Sequence, residues 1–199
     1  AQPTATISTH DPNNTICDGD TISLQFNLTG SADFIISYTD PSGSPLPPVT
    51  LDAAGNDITT GGPVQIFPTI GPNIYTITNV LDNNLCSNST QDNVNVIVTI
   101  PPYAGIPSSN TICDDDFIVY PLTTGGDPGG SWTYEGPSTP TSHPSGTFQA
   151  WDPLLNSAID SFGIYRYTVT DPTGTCPSDS VDITINPEPA PNTGNATNP

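Results

Sequence analysis

The chain has 199 residues and carries one basic residue, Arg166, against 20 acidic residues, which gives a formal net charge of −19 at pH 7. Residues 1–100 contain nine Asp and no Lys or Arg, whereas residues 101–199 contain eleven acidic residues and Arg166, so both halves are negatively charged. A charge of this sign repels phosphate backbones and anionic lipid headgroups. The composition therefore argues against nucleic acid as a partner and against direct membrane insertion.

Six short strands are predicted in the first hundred residues, and turns separate them. Each strand is rich in β-branched or aromatic residues and is bounded by Gly, Pro, Asn or Asp. The predicted strands cover residues 21–28, 34–39, 49–51, 64–67, 74–80 and 94–100. No segment is predicted to form a helix of useful length, and the nearest candidate, residues 151–159, could form one or two turns. This pattern predicts an all-β fold of the immunoglobulin-like antiparallel β-sandwich type.

The sequence contains one pattern twice. NTICDGD at residues 14–20 recurs as NTICDDD at residues 110–116. Downstream of this motif the two copies continue to align, with Ile36, Tyr38, Tyr75 and Cys86 in the first matching Trp132, Tyr134, Tyr165 and Cys176 in the second. A repeat of this length indicates two copies of one folding unit.

The repeat also sets the expected domain boundaries. We assign residues 1–100 to a first immunoglobulin-like module, residues 101–188 to a second, and residues 189–199 to a linker or the start of a further repeat. The further repeat is indicated because PNTG near the end resembles PYAG at the head of the second module. Two prolines follow the last strand of the first module, so a stiff linker with the modules end to end is expected.

The four cysteines fall two per module at matching places. There is no CxxC pair, and His10 and His143 lie in Pro-rich loops away from any cysteine, so disulfides are favoured over a metal site. The repeat favours one disulfide within each module, Cys17 to Cys86 and Cys113 to Cys176. In an ordinary immunoglobulin topology these positions lie at opposite ends of the sandwich. Either the local topology differs, or the cysteines bridge neighbouring modules.

Acidic residues cluster just after the first cysteine of each module, at Asp18, Asp20, Asp114, Asp115 and Asp116. Calcium takes six to eight oxygen ligands, and alternate Asp residues in a turn can supply several of them. Calcium is therefore a possible cofactor at these turns. The alternative is that these carboxylates are solvated or cap the turn.

No catalytic motif is present. The chain lacks GxSxG, HExxH and a cysteine–histidine pair, and the glycines before Trp132 lead into a predicted strand, as a turn would. Glu135 and Asp152 are the carboxylates that could be imagined across a glycosidase cleft, but a sandwich of this size rarely encloses one. The sequence therefore predicts no enzymatic activity, and Trp132 is expected to be a core residue.

Several segments resemble the immunoglobulin-like repeats of cell-surface proteins from Bacteroidota. They are TICDGDTISLQFNLTG and YTITNVLDNNLC in the first module and GGDPGGSW, YRYTVTDPTGTCPSD and VDITINP in the second. The second module is most similar to the repeats of the SprB-type gliding-motility adhesins, whereas the first lacks the GGSW element. The resemblance implies a long, type IX-secreted protein on the bacterial outer surface that gives reach and attaches to the substratum during gliding.

A second function is compatible with the same sequence. The chain could be an accessory carbohydrate-binding or spacer region of a secreted polymer-degrading enzyme, with Trp151 and Tyr103 as the exposed aromatics such a role needs. In both cases an extracellular polysaccharide or another surface ligand is a possible partner, and neighbouring repeats of the same chain are another. Assembly into a fibre by strand exchange is a third possibility.

The resemblance also implies O-glycosylation at Asp-Ser/Thr-apolar triplets. Two triplets match, with Thr21 and Ser180 as the acceptors. Both hydroxyls are expected at the start of a strand, where a glycan would screen a sheet edge from other chains.

Overall fold

A computed structural model describes residues 2–89, 91–137, 139–152, 154 and 156–188 of the protein. Its chain divides into two compact units, with the boundary between Ile100 and Pro101. The segment 189–199, with the predicted start of a further repeat, lies outside the described residues. Within the described part of the chain, no helix is long and apolar enough to cross a membrane.

The first unit contains a three-stranded antiparallel sheet. Its order is β1-β3-β6, and the strands are β1 (Thr4–Thr9), β3 (Ile22–Thr29) and β6 (Val64–Ile66). Along β3 the side chains of Ile22, Leu24 and Phe26 are buried while Gln25 and Asn27 are exposed. This alternation is that of a sheet with one face on a core and one face in water.

The second sheet of this unit has the order β2-β9-β7-β4-β5, with a short strand β8 beside the end of β7. The strands are β2 (Thr15–Cys17), β4 (Phe34–Thr39), β5 (Val49–Leu51), β7 (Gly71–Leu81), β8 (Ser87–Asn88) and β9 (Asn93–Thr99). A register shift between Ser37 and Tyr38 interrupts the pairing of β4 with β7. Because of this bulge, the buried positions of β7 change phase, from Tyr75 and Ile77 to Val80.

The buried faces of both sheets form one continuous hydrophobic core. It includes Leu24 and Phe26 from the three-stranded sheet and Ile36, Ile77 and Val96 from the other. The first unit is therefore a two-layer sandwich of immunoglobulin-like strand order.

The second unit is built on a five-stranded sheet with the order β10-β18-β17-β12-β13. The strands are β10 (Ser108–Cys113), β12 (Ser131–Glu135), β13 (Thr141–Ser142), β17 (Gly163–Val169) and β18 (Asp179–Glu188). Two small sheets accompany it, formed by β11 (Tyr120–Pro121) with β14 (Thr147–Phe148) and by β15 (Trp151–Asp152) with β16 (Ser157–Ala158). Its buried residues include Phe148, Tyr165, Tyr167, Ile183 and Ile185.

The sequence repeat coincides with a repeat in strand order. The TIC of this motif forms β2 in the first unit and the end of β10 in the second, and each of these strands pairs in parallel with the last strand of its unit. The aligned aromatic segments lie on β4 and β12, and those around Tyr75 and Tyr165 lie on β7 and β17. In the first unit β7 pairs antiparallel with β4, and in the second unit β17 pairs antiparallel with β12. The predicted all-β, immunoglobulin-like fold is confirmed.

Three features differ from the sequence-based expectation. The parallel strands β2 and β10 interrupt the expected antiparallel pairing, because residue alternation reports burial and does not report strand direction. The Thr-rich strand β1 was not predicted. Residues 151–159, the nearest candidate for helical turns, instead contain the antiparallel strands β15 and β16, in which Trp151 pairs with Ala158 and the Asp152 carboxylate accepts the N–H of Leu154. Residues 153 and 155 of that segment lie outside the described residues.

Candidate functional sites

Several aspartates hold tight turns closed through backbone hydrogen bonds. The Asp40 Oδ1 accepts the N–H groups of Ser42 and Ser44, both at 2.9 Å. Carboxylates also accept N–H groups two and four residues ahead at Asp52, Asp82 and Asp171. These acids therefore satisfy turn donors that would otherwise need water.

The Asp171 turn is the tightest example. The N–H of Cys176 donates to Asp171 Oδ2 at 2.7 Å, and the Thr173 hydroxyl also donates to this carboxylate. These hydrogen bonds favour the charged form, so they lower the pKa of Asp171 from its ordinary 3.8 to about 2. A carboxylate used in this way keeps its charge and closes the turn.

The acidic turns predicted to bind calcium are differently built. Asp18 and Asp20 are exposed in the turn after β2, as are Asp114 and Asp115 after β10. Asp116 is committed locally, because its carboxylate accepts the N–H of Ile118 and the hydroxyl of Tyr120. Nowhere in the described part of the chain do three or more His, Cys, Asp or Glu side chains form a group that could hold a metal. Calcium at these turns stays a prediction, tested by comparing melting temperatures in millimolar calcium and in chelator.

The cysteines are not in the states that the within-module pairing requires. Cys17 and Cys176 are disulfide-bonded, whereas Cys86 and Cys113 are free thiols. The predicted pairs Cys17–Cys86 and Cys113–Cys176 are therefore wrong. Partial desolvation, together with the neighbouring carboxylates, raises the pKa of the Cys113 thiol. That thiol is accordingly a weak nucleophile.

The reason for the wrong pairing is the length of the strands. In the first unit Cys17 lies beside Thr99, at the end of the sheet where β7 begins, whereas Cys86 follows the far end of β7. That strand has 11 residues, so about 30 Å separates its ends. In the second unit, β18 separates the two cysteine positions in the same way. A disulfide needs Cα atoms within roughly 7 Å.

The single arginine organises the outer face of the second unit. Its Nε and Nη2 donate to the two carboxylate oxygens of Asp182 at 2.8 and 2.9 Å, and its Nη1 lies 3.8 Å from Glu135 Oε2. The Thr133 hydroxyl donates to the other oxygen of Glu135. Glu135 is thus held in a charge network on the sheet surface, which gives no support to the catalytic pairing with Asp152.

The tryptophans have different environments. Trp132 packs against Tyr167, with ring centroids 4.9 Å apart, and contacts the core of the second unit, so its predicted structural role is confirmed. Trp151 is half-buried in the β15–β16 hairpin. Tyr103 is exposed and therefore remains available as a ligand-stacking residue.

Both predicted glycosylation acceptors are exposed. Thr21 directly precedes β3, and Ser180 is the second residue of β18. Ser180 pairs with Thr168 of β17, whereas the pairing of β18 with β10 begins at Ile183, and Thr21 precedes the first paired residue of β3. The screening of a sheet edge by a glycan there stays a prediction. Glycosylation itself stays a prediction.

The first unit contains an open cleft that the sequence did not reveal. Its volume is about 550 Å³, and its walls include Tyr38, Asp40, Phe67, Thr69 and Tyr75. The predicted strand at 64–67 ends at Ile66, and the Phe67 ring projects outward with 76% of its surface exposed. The available signal was the break in alternation, since Phe67 follows the inward-facing Ile66 and precedes a proline.

The two tyrosines of this cleft have buried rings and accessible hydroxyls. Tyr38 is 6% exposed and Tyr75 is 5% exposed, and neither hydroxyl has a hydrogen-bond partner among the described residues. Among the described residues that are not exposed, every buried side-chain nitrogen or oxygen atom has a hydrogen-bond partner. Each hydroxyl oxygen therefore keeps some contact with solvent, although burial raises the pKa of both tyrosines.

No protein-family model matches the sequence, and no curated protein matches it. Similar solved structures include a 1.5-MDa bacterial ice-binding adhesin, with 12% identity over 94% of this chain and 65% of that chain, at a TM-score of 0.46. A Ca²⁺-stabilized adhesin with which an Antarctic bacterium binds ice has 14% identity over 96% and 50%, also at 0.46. The N-terminal four Ig domains of Dscam1 isoform 6.9 have 13% identity over 95% and 52%, at 0.35. The chain spans less than two thirds of each of these chains. The immunoglobulin-like assignment follows from the strand order within each unit.

Proposed function

We propose that this chain is a repeat segment of a long secreted bacterial cell-surface adhesin. The observation that carries the proposal is the coincidence of the sequence repeat with the strand order, since each copy of the NTIC pattern contributes a strand that pairs in parallel with the last strand of its unit. Repeated modules that each bury their own core are suited to supplying reach and several binding surfaces. The role would be extension from the cell and attachment to a surface ligand.

The charge distribution supports an array of such modules in water. Both units are strongly negative and contain a single basic residue between them. Like charges on successive modules repel one another and keep the protein soluble. Carboxylates that cap turns do not depend on basic partners, so this surface charge is compatible with a stable fold.

The finer part of the proposal comes from sequence resemblance. Similarity to the SprB-type repeats supports a location on the outer surface of a gliding bacterium of the Bacteroidota, with export by type IX secretion. In that setting the adhesin would grip the substratum while the motility machinery moves it along the cell.

A second candidate is an accessory carbohydrate-binding or spacer region of a secreted polymer-degrading enzyme. The exposed rings of Phe67 and Tyr103 favour it, because exposed aromatics are what such a region needs. Mass spectrometry of the intact protein from the native organism separates the two functions. Many further repeats support the adhesin, whereas an attached catalytic domain supports the accessory role.

An antibody against this chain tests the adhesin on living cells. We expect it to label intact cells and to reduce both attachment and gliding, because the repeats would lie outside the outer membrane. An antibody against a periplasmic protein is the matched control and should do neither. Labelling that appears only after permeabilisation would contradict the proposal.

A further inference from the structure

We propose that the cleft around Tyr38, Asp40, Phe67 and Tyr75 is a binding site for a short segment of a neutral glycan. The inference deepens the adhesin role and rests on it, because it names the ligand class that one module would attach to. The cleft volume of about 550 Å³ falls within the usual range of small-ligand sites, roughly 300 to 1,000 Å³. It leaves room for a few sugar rings at the surface.

An exposed aromatic ring lies at the edge of the cleft. Phe67 is 76% exposed and is followed by Pro68, which also lines the cleft. Exposing a large apolar ring to water is unfavourable, and a flat ring edged by polar groups is suited to a ligand with one apolar face. The C–H face of a pyranose ring is such a face.

Polar groups line the same cleft as that ring. The hydroxyls of Tyr38 and Tyr75 keep some contact with solvent and have no hydrogen-bond partner among the described residues, and each can both donate and accept a hydrogen bond. Asp40 uses its Oδ1 for the turn, and its Oδ2 has no donor among the residues that the structure describes. Its pKa is lowered, first by the hydrogen bond from the Ser42 hydroxyl, so this oxygen is an ionised acceptor. Ring-stacking, donor and acceptor groups thus converge, as recognition of sugar hydroxyls requires.

The tyrosine pair of the cleft differs from the aligned tyrosine pair of the second unit in its hydrogen bonding. The repeat aligns Tyr38 with Tyr134 and Tyr75 with Tyr165. In the second unit both aligned hydroxyls are satisfied internally, because Tyr134 donates to the Phe162 carbonyl at 3.0 Å and Tyr165 donates to the Ser161 carbonyl at 2.6 Å. The same tyrosine pair therefore has a structural role in one module and is left open in the other.

The unit that contains the cleft is negatively charged. The first unit contains no Lys or Arg, and Asp57 lines a second cleft that also includes Tyr38. Anionic polysaccharides would be repelled and would find no basic partner. Ligands with neutral hydroxyls can donate to the ionised carboxylate, which selects neutral glycans.

The test begins with the full 199-residue chain on an array of neutral and anionic oligosaccharides, followed by calorimetric titration of the tightest neutral ligand. Tyr38→Phe and Tyr75→Phe each remove one hydroxyl and keep the buried ring, and each should weaken binding about fivefold. Phe67→Ala should weaken it about tenfold. Phe117→Ala, at an exposed phenylalanine of the second unit, is the matched control and should stay within about twofold of the wild type.

The aligned tyrosines give a control for fold stability. Tyr134→Phe and Tyr165→Phe remove hydroxyls that donate to carbonyls, so they should lower the melting temperature and leave glycan affinity unchanged. Tyr38→Phe and Tyr75→Phe should weaken glycan binding and leave the melting temperature unchanged. Failure to bind any neutral oligosaccharide, binding of anionic ones alone, or unchanged affinity in Phe67→Ala would overturn the site. Antibody labelling of intact cells does not depend on the cleft, so the adhesin role can stand when the site fails.

Discussion

The two units should unfold as separate cooperative transitions, and two matched core substitutions test this. Ile77 lies on β7 in the core of the first unit with no exposed surface, and Ile183 lies on β18 in the core of the second with 1% exposed. Replacing either by Val removes one buried methylene and leaves a small cavity. Such a change costs about 1 kcal/mol, within a usual range of roughly 0.5 to 1.5 kcal/mol.

For a domain of about 100 residues, 1 kcal/mol shifts the melting temperature by roughly 4 to 8 °C. Differential scanning calorimetry of the full chain should resolve two transitions, with Ile77→Val lowering one and Ile183→Val lowering the other. Each variant serves as the control for its counterpart, because the chemical change is identical. If either substitution lowers both transitions equally, the units do not fold independently and the proposed domain division is refuted.

Three further predictions concern the turns, the thiols and the glycans. Hydrogen bonds lower the folded-state pKa of Asp171 to about 2, so their stabilisation is complete above pH 4 and lost as the pH falls to 2. The melting temperature should fall over that range, and less steeply in Asp171→Asn; equal slopes would contradict the capping role. Iodoacetamide should label Cys86 and Cys113 in the unreduced, unfolded chain and no other cysteine. A chain in which no cysteine reacts before reduction would refute this assignment. Protein from the native organism should exceed the mass of the bare polypeptide by glycans on Thr21 and Ser180, and an equal mass would end that hypothesis.

Strand positions were predictable wherever one face of the strand packs on the core and the other faces water along its length, because apolar and polar residues then alternate. The segment around Leu24 and Phe26 illustrates this, because buried apolar residues alternate with polar ones along all of β3. The alternation fixes which face is buried, yet it is the same for either strand direction. For that reason the parallel pairing of Cys17 and its neighbours with β9 did not follow from the sequence.

The candidate sites depend on contacts between residues far apart in sequence, which a single sequence does not encode in its pattern. Tyr38 and Tyr134 occupy matching places in the repeat and both read as core aromatics. Whether their hydroxyls are satisfied is decided by the loop that packs beside them, and Phe162 supplies the acceptor in the second unit alone. Equivalent sequence positions can therefore diverge in role without any change in the aligned residue.

The acidic turns explain how a chain with one arginine tolerates so many carboxylates. Salt bridges cannot neutralise them, since Arg166 is already occupied by Asp182 and Glu135. At several turns, Asp40 and Asp171 among them, the carboxylate instead accepts hydrogen bonds from its own turn, so its negative charge lies in local structure that the fold requires. Removing this charge to improve binding of an anionic ligand would open turns. A surface built in this way is therefore constrained toward neutral ligands, which is the class that the open cleft of the first unit is suited to bind.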